Sequence, residues 1–99
     1  MGIRDIVFPF NSDLSQLGFT VTDTATKFPI GPAAVGRRGL LVFNNSTKLM
    51  FFGDSTVTTS TGMVLVNDTG FIIAASEDVN IFFIVASGTA DLRVTEVIE

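Results

Sequence analysis

Ninety-nine residues close around one hydrophobic core, and a domain of that length buries only about two thirds of the surface its unfolded chain exposes. Ten acidic against six basic residues give a formal charge of -4, with no basic run longer than the pair Arg37 and Arg38, so the electrostatic footprint of a nucleic-acid binder is absent. With no cysteine and no histidine, the chain has no disulfide, no thiolate or imidazole metal ligand and no imidazole base.

The composition is apolar for so small a domain: 46% hydrophobic, 16% charged and ten phenylalanines. A single core of this size does not use all of it, so another chain is expected to cover part. The longest unbroken apolar run, residues 81–86, falls far short of the roughly twenty needed to cross a bilayer, and no membrane partner is expected. The first thirty residues lack the apolar stretch and small-residue step of a secretory leader, so the chain is expected to stay on the side of the membrane where it is made.

Residues 1–17 differ in character from the rest. Ile3, Ile6, Val7, Phe8 and Phe10 are apolar, but Pro9 bars them from a central strand, so they read as an edge strand or an extended arm. Asn11, Ser12 and Asp13 form a turn or helix-cap signal, and a single helical turn over residues 13–17 is one reading. Phe8 and Phe10 either plug one end of the core or reach a neighbouring surface. The domain proper is expected to be residues 18–99.

Threonines alternate with apolar residues from Phe19 to Phe28, a pattern of strands, with Asp23 marking a turn. Pro29, Gly31, Pro32 and Gly36 punctuate a connection that ends at Arg37 and Arg38, which read as solvated strand-edge charges or, more sharply, as an intersubunit salt bridge. Residues 39–43 are a strand closed by Asn44, Asn45 and Ser46, read as turn asparagines and serine, and residues 48–52 are its expected hairpin partner. Both strands are apolar on both faces, as is the run at 81–85. Each is therefore either enclosed in a larger core or turned on one side toward another subunit. Residues 91–98 alternate more cleanly, with Leu92 and Val94 inward and Asp91, Arg93 and Thr95 outward. The cluster of Asn67, Asp68, Thr69 and Gly70 makes a turn in which Gly70 supplies positive φ.

Strands recurring about every ten residues, with no helical period, indicate an all-β antiparallel β-sandwich or jelly-roll-like small barrel of seven or eight strands. Leu41, Phe43, Met50, Phe52, Phe82 and Ile84 would form one exposed apolar patch on a monomer. With Phe8 and Phe10 they are the candidate interface of a stable homo-oligomer, a trimer being favoured.

Three groups could carry chemistry. Gly53, Asp54 and Ser55 spell the block that opens an esterase nucleophile turn, but the serine has no histidine to activate it, and the segment reads as a turn. Asp54, Asp68, Glu77 and Asp78 could form an acid–base pair or a calcium site, yet each sits where turns favour acids and no dense run of ligands occurs. The hydroxyls of Thr56, Thr58, Thr59, Ser60 and Thr61 could line a sugar site, although neither Trp nor Tyr is present to stack on a sugar ring. No enzyme activity, cofactor or metal is expected.

The motifs themselves carry a resemblance. RRGLLVFNNSTKLMFFGDSTVTTSTGMVL, followed after a connection by IFFIVASGTADLRVTEV, resembles a family of small β-sandwich structural proteins of tailed bacteriophages, often head decoration or head-fibre components. The matching elements are residues 24–29, 37–46, 48–55, Val57, Thr58, Gly62 and 86–97. The likeness spans about residues 19–97 and departs at Met50, Phe51 and Phe52 and over the first seventeen residues. It implies a non-enzymatic virion component, such as a capsid decoration or cement protein, made in the host cytoplasm and contacting proteins such as the major capsid protein. The alternative is a carbohydrate-binding, lectin-like attachment module.

Overall fold

The computed structural model describes residues 15–98, which form eight strands and, among the described residues, no helix. They are β1 (Ser15–Thr22), β2 (Thr26–Phe28), β3 (Arg37–Asn44), β4 (Met50–Gly53), β5 (Met63–Leu65), β6 (Gly70–Ala74), β7 (Ile81–Val85) and β8 (Thr89–Ile98). Antiparallel pairs are nested along the chain: β1 with β8, β2 with β7, β3 with β6 and β4 with β5. Two further pairings, β3 with β8 and β4 with β7, join them into a first sheet, β1-β8-β3-β6, and a second, β2-β7-β4-β5. Nested pairs rolled into two such sheets are the jelly-roll form of the expected β-sandwich.

The core between the sheets follows from strand alternation. Phe19, Val21, Leu40, Val42, Leu92 and Val94 point inward from the first sheet, and Phe28, Met50, Leu65, Phe83 and Val85 from the second. Phe28 is 2% exposed and Phe83, Leu40 and Met50 not at all, and each such side chain contributes about 1.5–3 kcal/mol by leaving water. Edge-to-face packing of Phe19 on Phe28, with ring centroids 5.2 Å apart, closes the sandwich between β1 and β2. On the opposite side Phe52 of β4 lies against Phe71 of β6 at 5.6 Å.

Several local expectations are corrected. β3 and β4 do not form a hairpin: the corner at residues 44–49 carries the chain from one sheet to the other. Asn44 makes that crossing possible. Fully buried, it donates from Nδ2 to the carbonyls of Lys48 (2.6 Å) and Leu65 (3.0 Å), while the Ser46 hydroxyl donates to its Oδ1 at 2.6 Å. It is an inter-sheet strut as well as a turn residue, and its buried polar atoms are all satisfied. Ser15 to Leu17 are not helical but open β1, because β8 offers them ladder partners from Glu96 to Val94. The strand therefore starts inside the segment assigned to an arm. Residues 1–14, with Phe8, Phe10 and the rest of that arm, lie outside the described residues. Positive φ in the β5–β6 turn falls on Asp68 (61°), while Gly70 already pairs with Phe43 in β6.

Arg37 is neither solvated nor intersubunit. Its side chain is 1% exposed, lies 3.7 Å from the equally enclosed Glu96 carboxylate, and donates to the carbonyls of Ala75, Ser76 and Val79. The Glu96 carboxylate also accepts the Ala34 N–H at 3.0 Å. The pair thus pins the loop before β3 and the turn after β6 to the end of β8. A buried charge is tolerated here because the guanidinium donates to three carbonyls and lies beside a carboxylate of opposite charge.

Candidate functional site

The candidate interface residues do not make one surface. Leu41 and Phe43 face outward from the first sheet, and Phe82 and Ile84 outward from the second, so the two pairs lie on opposite sides of the sandwich. Met50 is fully buried and Phe52 packs inside against Phe71 and Phe83. The sequence shows that β4 is apolar on both faces but does not say which face meets the core. Placing β3 and β4 in one sheet selected the wrong one.

The outward residues of β4 and its neighbours were missed. Phe51 stands opposite Ile84 on one side and Val64 on the other, an apolar row across three strands. Leu49 and Val66, which flank β4 and β5, are about half exposed, and Met63 on β5 is 67% exposed. On β6, at the margin of the first sheet, Ile72 is also exposed and stands opposite Leu41. Exposed apolar side chains thus occur on both β5 and β6, with Val64 facing outward from the second sheet and Ile72 outward from the first, on opposite sides of the sandwich. Between Ser55 and Ser76 the only charged residue is Asp68, a feature visible in the sequence.

The threonine-rich loop is a folded unit. Val57, 6% exposed and outside the main core, packs onto Gly53 and Gly62 on the outer side of the second sheet. A Cβ on Gly62 would come within 2.7 Å of Phe51 Cβ and 2.8 Å of Val57 Cγ2, so this close approach requires glycine. The hydroxyls of Thr58 and Thr61 bond each other at 3.0 Å, and Thr58 Oγ1 also accepts from the Ser60 and Thr61 N–H groups. Asp54 accepts from the Thr56 hydroxyl at 2.7 Å and its N–H at 2.9 Å, which hold its carboxyl below the usual carboxylate range. Much of the loop's hydrogen-bonding capacity is therefore spent inside it.

Thr59 faces a groove of about 490 Å³ floored by Leu49 and Phe51 and bounded by Lys48, Ala86 and Ser87. Lys48 Nζ donates to the Ser87 carbonyl at 2.8 Å, tying this wall to the β7–β8 turn. Chemically it is an apolar trough bordered by two hydroxyl residues, Thr59 and Ser87, and one ammonium.

Ser55 is exposed in the turn after β4, and the acids are distributed over separate turns, Asp54 after β4, Asp68 before β6, Glu77 and Asp78 after it. Among the described residues no group of three or more acids gathers as a metal site, and no helix is long and apolar enough to cross a membrane. On the far side of the first sheet Asp91 accepts from Asn45 Nδ2 (2.9 Å) and Arg93 Nε (2.8 Å), and these contacts lower its pKa. Comparison with protein families, with curated proteins and with solved structures finds no match to this chain.

Proposed function

We propose that this chain is a non-enzymatic structural component of a bacteriophage particle, a homo-oligomeric capsid decoration or cement protein. It acts by burying apolar surface against its own copies and against virion proteins such as the major capsid protein. The observation that supports this reading is the outer face of the second sheet, where Val64, Val66 and Leu49 are about half exposed around Phe51. Monomeric proteins seldom leave such a patch uncovered. The jelly-roll order supports the reading by analogy alone, being an architecture that viral capsid and lectin domains share. The phage setting rests on the sequence resemblance. Copurification with particles at fixed stoichiometry, lost when Met63 and Val64 are both changed to Asp, is the expected result. A variant that stays folded and still binds particles as well as the parent would refute the role of this face.

The groove at Thr59 keeps a carbohydrate-binding reading open, since a sugar could lay its apolar face on Phe51 and a hydroxyl on Thr59. Glycan-array binding that disappears in Thr59→Lys would favour it over the structural role.

A further inference from the structure

We infer that β6 is the seam of a two-fold dimer, pairing antiparallel with β6 of a second copy to join two four-stranded sheets into one of eight strands. The inference rests on the homo-oligomeric reading above and names its contact.

Among the described residues β6 ends the first sheet, with β3 on one side and no strand on the other. Natural edge strands are usually blunted by charge, proline, a bulge or brevity. β6 has none of the first three: its five residues read Gly-Phe-Ile-Ile-Ala, and its register with β3 runs without a shift. The neighbouring edge, β5, is only three residues long, and its Leu65 carbonyl is already held by Asn44. On this flank β6 is therefore, among the described residues, the edge left open.

The direction of its main-chain groups fixes the register. Ala75 N–H donates to the Arg38 carbonyl and Asn44 N–H to the Thr69 carbonyl, with Leu41 opposite Ile72 between them. Alternation in an antiparallel ladder then turns the N–H and C=O groups of Phe71 and Ile73 toward β3 and those of Gly70, Ile72 and Ala74 outward. A two-fold axis at Ile72 sets Ile72 against itself and Gly70 against Ala74 of the second copy. Every outward group then meets a complementary one. The same axis places Phe71 opposite Ile73 on the inner face, and on the outer face it extends the Leu41–Ile72 pair into a four-residue apolar row.

A second copy fits this edge better than a charged partner does, because no residue of β6 is charged and the strand is self-complementary in size. At the rim, Asp68 of one copy comes near Glu77 of the other. That repulsion is screened by salt, so the dimer tightens as ionic strength rises. The described residues span 38 × 28 × 20 Å, so a whole flank is on the scale of the roughly 800 Å² that a standard interface takes from each partner.

Sedimentation of the full chain at micromolar concentration tests this. The expected result is a species of twice the 10.6 kDa chain mass, more stable at higher salt. Ile72→Lys, on an exposed outer-face position, should give a folded monomer that melts cooperatively but below the parent dimer, while Thr20→Lys on β1 should still dimerise. A trimer, or any oligomer that survives Ile72→Lys but dissolves in Val64→Lys, overturns the β6 seam and leaves the homo-oligomeric reading standing. A monomer in the wild type overturns both.

Discussion

The two flanks of the sandwich are built alike inside and unlike outside. Each is closed by a pair of phenylalanines, Phe19 with Phe28 between β1 and β2, and Phe52 with Phe71 between β4 and β6. Outside, the first presents Thr20, Thr22 and Thr24, the Thr22 hydroxyl donating to the Thr24 carbonyl, with Ile30 exposed just beyond β2. The second presents Met63, Val64, Val66 and Ile72. β-branched threonine and valine satisfy the same strand geometry, so folding places no demand that distinguishes them. What differs is the free energy of leaving these side chains in water, which is higher for Met63, Val64 and Val66 than for the threonines.

The contrast can be broken at the level of the core. Phe28→Ala should destabilise the domain by about 3–5 kcal/mol, because the ring is fully enclosed and its loss opens a cavity under Phe19. Phe71→Ala, at the partly buried counterpart, should cost distinctly less. Equal losses in urea melts would show the two flanks to be closed equally tightly. Arg37→Ala should cost about 3–5 kcal/mol by stranding the Glu96 carboxylate in the interior and releasing the turn that follows β6. Arg37→Met combined with Glu96→Leu should recover most of that loss, and a double variant as unstable as Arg37→Ala would refute the account.

Smaller changes sharpen the outer surface. Gly62→Ala should cost about 1–3 kcal/mol, since its methyl would collide with Phe51 and Val57 and push the threonine loop away from the second sheet. Ser55→Ala should change stability by less than about 1 kcal/mol and leave particle binding intact, as expected of an exposed turn residue. A folded variant that loses function would revive a chemical role for the serine. The smallest effect concerns pH. Asp91 has a lowered pKa in the folded state, from Asn45 first and then Arg93, so its contribution is present above the unfolded value of about 3.9 and fades as pH falls through the lower folded one. In acid titrations monitored by melting, Asp91→Asn should lack that part of the decline below about pH 4.

The sequence by itself determined the all-β antiparallel class and the approximate places of β3, β4, β7 and β8, but not β5, β6 or the start of β1, because alternation and turn chemistry are local: Leu92 and Val94 inward against Arg93 outward are legible from eight residues, whereas three- to five-residue edge strands carry little pattern. It also determined that the segment holding β5 and β6 is almost without charge. Only the tertiary structure decided which face of a doubly apolar strand is core. Met50 and Phe51 are equally suited to either side, and the choice follows from β4 lying in the second sheet with β7 rather than beside β3. It likewise decided that Asn44 is a buried strut and Arg37 half of an internal ion pair, since their partners, Leu65, Ala75, Ser76, Val79 and Glu96, lie 21 to 59 residues away along the chain and are brought near only by the roll of the nested strand pairs.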